Sequence, residues 1–233
     1  MEIITYIKKI IPKEIKISVK QIISNLLFVQ KYKFLPPPPF TDMSGYEFLL
    51  DTIVEKRLYR LEGDFVEIGT FIGGGTYKLS KLLEKLQIKD KKIYVIDTFD
   101  LSQKDHTIEQ WRRTLKAHKQ IIKNKKQYEV YKKITKNCKN LVTLINDSKN
   151  IMLPCKKISF AYIDGNHSYE YVKNDFYLVW DKLVSNGIVA FHDYNFEEMG
   201  TVKAIHELIG EQSDKILRIW INDLKSTVLI QKK

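Results

Sequence analysis

The chain has 233 residues, 44% of them hydrophobic, which suits one sizeable α/β domain with a fully buried core. Its net charge of +11 is concentrated in two segments. Residues 1–36 carry seven Lys against two Glu, and residues 102–140 carry twelve Lys or Arg against three acids. Because the rest of the chain is slightly acidic, this distribution argues against a surface that binds nucleic acid throughout. It favours local attraction to an anionic membrane, a phosphate-bearing substrate or RNA.

The two cysteines, Cys138 and Cys155, provide no disulfide framework, so a reduced protein is the simpler interpretation. No apolar run in the sequence approaches the ~20 residues of a membrane-spanning helix. The N-terminus also lacks the features of a signal peptide. We therefore expect a cytoplasmic protein, with peripheral contact to the inner face of the membrane and homo-oligomerisation left open.

Residues 1–40 are predicted to form a basic amphipathic helical arm that ends in the polyproline run Pro36–Pro39. Apolar residues recur there at helical spacing, and lysines supply the polar side. The apolar face could pack on the rest of the protein or on a second subunit. Alternatively, residues 1–34 could lie on an anionic membrane. The remaining residues, 41–233, are predicted to form one domain.

The most informative stretch runs from Asp64 to Thr76, where an apolar strand passes through a glycine-rich turn into a helix. Glycine permits a tight turn, and the helix start offers free N–H groups to an anion or a nucleotide. A phosphate-binding P-loop is excluded because Gly75 stands where that motif requires Lys. A dinucleotide fingerprint is excluded because Phe71 occupies the position of its second glycine.

The pattern that remains is E-x-G-x-x-x-G, formed by Glu67, Gly69 and Gly73. It resembles the turn by which class I S-adenosylmethionine (SAM) methyltransferases bind their cofactor. We expect Thr70 and Thr76, which lie in the same stretch, to contribute to the same binding site. An ordinary connection between a strand and a helix is the alternative interpretation.

Five predicted strands alternate with helices, which indicates a parallel sheet with helices on both faces, and two further strands predict a terminal antiparallel hairpin. The predicted strands lie at about 64–69, 92–97, 141–145, 158–163, 188–191, 216–221 and 226–231. Helices are predicted at 44–60 and 75–86, after Ser168 as the N-cap, and at 201–209.

Four of the first five strands end in an acid or lie just before one: Asp97, Asp147, Asp164 and Asp193. Ligands of parallel sheets bind at the carboxyl ends of the strands, which meet at one edge. A hydrophobic core has no use for several carboxylates at that edge. The convergence of these acids therefore predicts a functional site.

Each acid suggests a chemical role. Asp97 is expected to accept hydrogen bonds from the ribose hydroxyls of a nucleoside, with Thr98 beside it, although a helix cap is the alternative. Asp147 or the hydroxyl of Ser148 could hold an adenine edge, and capping of their own loop is nearly as well supported.

Asp164, His192 and Asp193 follow consecutive strands and together offer two carboxylates and an imidazole. Such a set suits Mg²⁺ or a similar divalent cation, which would bind substrate hydroxyls and lower the pKa of the one that reacts. His167, three residues after Asp164, is a candidate general base. The alternatives are that His167 orders its loop or contacts the cofactor, and that His192 only holds Asp193.

Residues 101–140 are predicted to form a basic helical insertion after the second strand. Its lysines could be a solvated face, or the insertion could be a lid that meets an anionic substrate. No module that interleaves basic and aromatic residues for RNA is evident.

Residues 163–169 and 187–194, together with Glu67–Gly73 and Asp97–Asp100, resemble the signature blocks of one group of SAM methyltransferases. This group includes macrocin-type sugar O-methyltransferases and relatives of cephalosporin hydroxylase, and the resemblance covers about 64–194. It implies a Rossmann-like class I methyltransferase sheet. It also implies metal binding at the acids Asp164 and Asp193 with His192, ribose binding at Asp97, and cofactor binding at the glycine turn.

The function that follows is a SAM-dependent O-methyltransferase acting on a hydroxyl of a sugar or related small molecule, assisted by a divalent cation. A glycan that carries phosphate would suit the basic segments. The alternatives are a methyltransferase of RNA or protein, and a nucleotide-dependent oxidoreductase or binding module of the same fold.

Overall fold

The computed structural model describes residues 26, 28–33, 46–102, 115–116, 118–119, 121–123, 125–194, 200–222 and 226–233. The chain divides into one unit spanning residues 1–39 and a larger unit spanning residues 40–233. Within the first unit, the rings of Phe28 and Tyr32 lie 4.9 Å apart. The rest of the predicted arm, including the polyproline run, lies outside the described residues. The membrane contact predicted for residues 1–34 depends mainly on those residues and stays a prediction. None of the helices described is long and apolar enough to cross a membrane.

The larger unit contains a seven-stranded sheet with the order β3-β2-β1-β4-β5-β7-β6. The strands are β1 Asp64–Ile68, β2 Ile93–Asp97, β3 Leu141–Ile145, β4 Ile158–Ile163, β5 Leu183–Phe191, β6 Ile216–Ile221 and β7 Val228–Lys232. Strands β1 to β5 pair in parallel, whereas β7 lies antiparallel between β5 and β6. The predicted mostly parallel sheet with a terminal antiparallel hairpin is confirmed.

Helices surround this sheet, as the alternating pattern predicted. The α-helices described in the larger unit are α1 Tyr46–Glu55, α2 Gly74–Lys85, α3 Gln127–Thr135, α4 Tyr169–Trp180 and α5 Thr201–Glu211. Short 3₁₀ turns occupy Leu58–Arg60, Ser148–Asn150 and Ser213–Lys215. The apolar stripe of α2 is buried at Leu79, Leu82 and Leu83, as its helical spacing requires.

The core lies against the central strands. Every residue of β4 is buried, which accounts for its almost continuous apolar sequence, since a parallel strand is covered on both faces. Register aligns the ends of three central strands, because Ile68 pairs with Ile163 and Ile163 pairs with Phe191. The loops that follow β1, β4 and β5 therefore leave the sheet side by side.

Two local predictions differ from the structure. The strand predicted at 188–191 begins earlier, since β5 starts at Leu183 and Asn186 adopts a φ of 64° where the register with β4 shifts. Ser168 does occupy the N-cap position of α4, but its hydroxyl makes no capping hydrogen bond. Of the predicted insertion, the described part contains helical residues between 115 and 121 and then α3.

Candidate functional site

The glycine turn after β1 can be built only with glycine at two positions. Gly69 and Gly73 have φ values of 81° and 86°, a region that side chains with a Cβ rarely enter. A Cβ on Gly69 would overlap the carbonyl oxygen of Asp164, and a Cβ on Gly73 would lie 2.7 Å from the ring of Tyr131. The turn is thus pressed against the loop after β4 on one side and against α3 on the other.

The carboxylate of Glu67 lies beneath this turn and is only 1% exposed. The hydroxyls of Tyr46 and Thr76 donate hydrogen bonds to its two oxygens, and the hydroxyl of Thr70 lies 2.7 Å from that of Thr76. Burial raises the pKa of Glu67 to about 7, although these hydrogen bonds act in the opposite direction. Glu67 therefore ties α1, β1 and α2 together from inside.

Asp97, at the end of β2, is surrounded by donors from the chain itself. Its Oδ2 accepts the backbone N–H groups of Thr70 and Phe71 at 3.0 Å each. Its Oδ1 accepts the backbone N–H of Phe99 at 2.6 Å and Nε2 of Gln127 at 3.4 Å. Burial nevertheless raises the pKa of Asp97, because desolvation outweighs these bonds. The acid fastens the glycine turn to the end of β2.

The loop after β3 shows the capping arrangement that the sequence left open. Asp147 accepts the backbone N–H of Lys149 at 2.9 Å and the hydroxyl of Tyr171 at 2.6 Å. Ser148 is buried in the following 3₁₀ turn. Thr98, beside Asp97, accepts a backbone N–H two residues further on at 3.3 Å. Adenine recognition by this loop stays a prediction.

The structure brings Asp164, His167, His192 and Asp193 together at the ends of β4 and β5. Nε2 of His167 lies 2.7 Å from Oδ2 of Asp193 and 3.7 Å from Oδ1 of Asp164. Nδ1 of His192 lies 3.0 Å from Oδ1 of Asp193 and 3.3 Å from Oδ1 of Asp164. We call these four residues the acid–imidazole cluster.

The two acids of this cluster are held in their charged form. Burial alone would raise the pKa of each, but the neighbouring imidazoles of His167 and His192 lower the pKa of both Asp164 and Asp193 below its ordinary value. In turn, burial disfavours the charged form of His192, but the acids raise its pKa to about 10. The hydroxyl of Tyr162 adds a donor 3.4 Å from Oδ2 of Asp164.

A divalent cation fits the donor set of this cluster. One ligand atom each from Asp164, His167 and Asp193 can be chosen so that all three lie within 4.8 Å of one another, in the part of the chain that the structure describes. Carboxylate oxygens are ordinary ligands of Mg²⁺ and Mn²⁺, and imidazole is a common ligand of divalent transition metals. Asp193 also adopts a φ of 54°, in the left-handed region that Asp enters more readily than most residues other than glycine.

Sequence reasoning missed four residues around these positions. Tyr46 bonds Glu67, Gln127 bonds Asp97, Tyr162 bonds Asp164, and the carboxylate of Asp175 is fully buried beneath the loop after β4. The tyrosine of β4 could have been noticed as a phenol within an otherwise apolar strand. For the other three, the sequence gives no signal, because only the fold brings their partners near. Tyr46 lies 21 residues from Glu67 in the chain, and Gln127 lies 30 residues from Asp97.

Comparison with known proteins identifies the family of the chain. A family model described as "Methyltransferase domain" matches residues 66–194. An uncharacterised protein of Acanthamoeba polyphaga mimivirus, R132, is 29% identical over 175 residues, which cover 73% of this chain and 69% of that protein.

Solved structures also share the fold. The O-methyltransferase NovP matches with a TM-score of 0.63 and 16% identity, covering 82% of this chain and 79% of its own. CalS11, a TDP-rhamnose 3′-O-methyltransferase of calicheamicin biosynthesis, matches with a TM-score of 0.57 and 16% identity, covering 95% of this chain and 87% of its own. MycE from mycinamycin biosynthesis, solved in complex with Mg and S-adenosylhomocysteine (SAH), matches with a TM-score of 0.52 and 14% identity. The match covers 88% of this chain and 53% of the MycE chain.

At these identities the solved structures establish the fold, while the family model covers more than half of the chain. The model spans both the glycine turn and the acid–imidazole cluster, from β1 to the residues just after β5. The chain therefore belongs to the methyltransferase-domain family, and it is a class I SAM-dependent methyltransferase.

Proposed function

We propose that the protein transfers the methyl group of SAM to a hydroxyl oxygen of a sugar or related small molecule, with help from a divalent cation. The observation that carries this proposal is the acid–imidazole cluster, Asp164, His167, His192 and Asp193, at the end of the strands beside the glycine turn. Two neighbours in fold support it, because one is named as a TDP-rhamnose 3′-O-methyltransferase and another was solved with Mg and SAH.

Within this proposal, Asp164, His167 and Asp193 hold the cation, since their ligand atoms lie within 4.8 Å of one another. A divalent cation there would orient the acceptor hydroxyl and lower its pKa. The sequence assigned the role of imidazole ligand to His192, whose Nδ1 also lies within 3.3 Å of both acids; we propose His167 instead because its Nε2 completes the set of three ligand atoms. His192 then becomes the candidate for the acceptor's proton, which exchanges the two roles predicted from the sequence. The acids raise the pKa of His192 to about 10, but a divalent cation held by the same acids would offset their charge and lower that pKa, so that the imidazole could receive a proton.

The transfer needs little covalent help from the protein, because the sulfonium of SAM already activates the methyl group. The carbon–sulfur bond breaks as the oxygen–carbon bond forms, the acceptor's proton passes to the imidazole, and SAH leaves as a neutral thioether. The protein must therefore align the acceptor oxygen with the methyl group and receive one proton.

The test is methyl transfer from isotopically labelled SAM to a panel of nucleoside-diphosphate sugars, free sugars, RNA and protein. We expect label in a sugar, with NMR of the product placing the methyl group on oxygen. Label in RNA or protein alone would favour the alternative methyltransferase. Chelation should lower the rate and Mg²⁺ or Mn²⁺ should restore it, so full turnover after exhaustive chelation would remove the cation from the proposal.

The two imidazoles can be distinguished by paired variants. His167→Ala should weaken Mn²⁺ binding, measured by calorimetry or by the paramagnetic signal of the free ion. His192→Ala should retain Mn²⁺ binding but lose about 10²- to 10⁴-fold in kcat, the usual contribution of a positioned acid or base. The opposite result would restore the roles that the sequence assigned.

A further inference from the structure

Tyr162 is a buried phenol in β4, the central strand of the sheet. The residue is 1% exposed, so its hydroxyl must find a hydrogen-bond partner inside the protein. Among the described residues that partner is Oδ2 of Asp164, 3.4 Å away. The phenol therefore donates to one of the acids of the acid–imidazole cluster.

The register of the sheet places Tyr162 on the same side as the groups around it. Tyr162 pairs with Glu67 of β1 and with Ala190 of β5, whose small side chain leaves space for the phenol ring. Side chains two residues apart along a strand lie on the same face, so Asp164 follows Tyr162 on that face. The ring of His192, two residues after Ala190, has its centroid 6.4 Å from that of Tyr162.

The direction of the Tyr162 ring is fixed by packing. Its ring meets that of Tyr46 edge to face, with the centroids 4.9 Å apart and the planes at 86°, an arrangement that aromatic pairs prefer. Tyr46 is buried and is held by its own hydrogen bond to Glu67. The phenol of Tyr162 thus has a set position that does not depend on Asp164.

The two oxygens of Asp164 face different partners. Oδ1 lies 3.3 Å from Nδ1 of His192 and 3.7 Å from Nε2 of His167, whereas Oδ2 lies beside Tyr162. At 3.4 Å the contact is longer than the usual O–H···O distance of about 2.7–2.8 Å, so it contributes little to the stability of the fold. It still restrains the carboxylate, because turning that group away would leave a buried hydroxyl without an acceptor.

We propose that Tyr162 is a positioning residue for the divalent cation: by donating to Oδ2 of Asp164, it keeps Oδ1 turned toward the cation and the imidazoles. The inference rests on the proposed function, in which Asp164 is one of three ligands of that cation. A hydrogen-bond partner behind a metal ligand orients the ligand, and its loss typically lowers metal affinity by about 10- to 100-fold.

The test compares the binding of Mn²⁺ to wild type and to Tyr162→Phe, measured by calorimetry without SAM or acceptor. Phenylalanine keeps the ring against Tyr46 and removes only the hydroxyl. We expect Mn²⁺ to bind about 10- to 100-fold more weakly, while the urea midpoint of the metal-free protein stays close to that of wild type. Equal Mn²⁺ affinities would overturn the inference. A weaker affinity accompanied by a large fall in the urea midpoint would indicate a structural role and would overturn it as well.

Tyr94→Phe is the matched control. Tyr94 in β2 is 6% exposed, and its pKa is raised by burial and by Asp64, which stands at the start of β1. This variant should bind Mn²⁺ like wild type, and a loss equal to that of Tyr162→Phe would contradict the inference.

Two further outcomes keep the experiment decisive. If Tyr162→Phe fails to fold, Tyr162→Met makes the same comparison, because the flexible side chain of methionine fills irregular space without a hydroxyl. A wild-type protein that binds no Mn²⁺ would refute the cation of the proposed function together with this inference. Tight binding by both wild type and the Tyr162 variant would refute the inference alone.

Discussion

The carboxylates around the glycine turn and those of the acid–imidazole cluster stand at the same edge of one sheet, yet they have opposite electrostatic environments. Burial raises the pKa values of Glu67 and Asp97, whose partners are neutral hydroxyls, amides and backbone N–H groups. The pKa values of Asp164 and Asp193 are lowered because imidazoles face them. The first pair therefore fastens segments of the fold to one another, while the second pair holds negative charge beside two imidazoles at the ends of β4 and β5. The position of a carboxylate at the end of a strand therefore does not by itself determine its charge state or its role.

The largest expected effect tests whether the cluster carries the chemistry. Asp193→Asn keeps the size of the side chain but removes the charge that faces His167 and His192. We expect kcat to fall by about 10²- to 10⁴-fold, the range for loss of a positioned acid–base group, while SAH affinity stays within about tenfold. Steady-state kinetics and calorimetry measure the two quantities.

The exposed acid Asp181, at the end of α4, is the matched control, and Asp181→Asn should retain wild-type turnover. If Asp193→Asn turned over normally, the cluster would be structural. A loss of SAH affinity equal to the loss of kcat would instead mean that Asp193 contributes to cofactor binding. The glycine turn and the acid–imidazole cluster would then not differ in role.

A second prediction concerns the point where the two regions touch. Gly69→Ala places a Cβ at a φ of 81° and against the carbonyl oxygen of Asp164. The backbone strain alone costs about 1–3 kcal/mol, and the overlap adds to it. We expect the free energy of unfolding, from urea titration, to fall by at least about 3 kcal/mol, near the upper end of single-residue effects.

Gly210→Ala in α5 is the control, because a Cβ there meets nothing within 4 Å. Alanine is favoured over glycine in a helix by about 1 kcal/mol, so this variant should be neutral or slightly more stable. Equal effects of the two substitutions would show that the turn and the loop after β4 are not packed as described.

The smallest effect concerns the proton held by Glu67. Its pKa is about 7 in the folded protein against an ordinary value of 4.5, so the folded state binds a proton that the unfolded state releases between those values. This contribution to the free energy of unfolding should therefore decrease as pH rises from about 4.5 to 7, by roughly 3 kcal/mol. Glu67→Gln removes the titrating group and should flatten that part of the profile.

Urea titrations between pH 4.5 and 8 measure the difference in free energy of unfolding between wild type and Glu67→Gln. The contributions of the other titrating groups cancel in that difference. Glu55→Gln, an exposed change at the end of α1, should alter stability by no more than about 0.5 kcal/mol at any pH. Parallel profiles for wild type and Glu67→Gln would mean that Glu67 is charged in the folded protein, and the contrast between the two pairs of acids would weaken.

Much of the fold could be predicted from the sequence because it depends on local pattern. Apolar runs gave β3 and β4 with their observed bounds, and helical spacing gave α2 and α5 within about two residues. The start of β5 was misplaced because the strand continues across a bulge: Leu183 pairs with Ile158 before it and Ile188 pairs with Phe160 after it, with Asn186 at a φ of 64° between them. The sequence pattern at Asn-Gly does not indicate that pairing resumes on its N-terminal side.

The site was predictable only in part, for a physical reason. Chain order and strand ends indicate that Asp97, Asp164 and Asp193 approach one edge of the sheet, and the structure does place them there. The partners of each acid depend on side-chain direction and on segments distant in sequence, such as Gln127 for Asp97. Those contacts leave no periodicity or spacing to detect, so the roles of the individual acids could not be derived from the sequence.

The hydrogen bond from Tyr46 to Glu67 means that the folding unit extends beyond the segment that matches the family. A chain trimmed to residues 66–194 would lose α1, whose Leu49, Leu50 and Ile53 are fully buried, and the phenol that satisfies Glu67. It would also lose β7 and expose the edge of β5. The smallest shortened protein that keeps the described unit together must therefore begin before Tyr46 and retain the C-terminal hairpin.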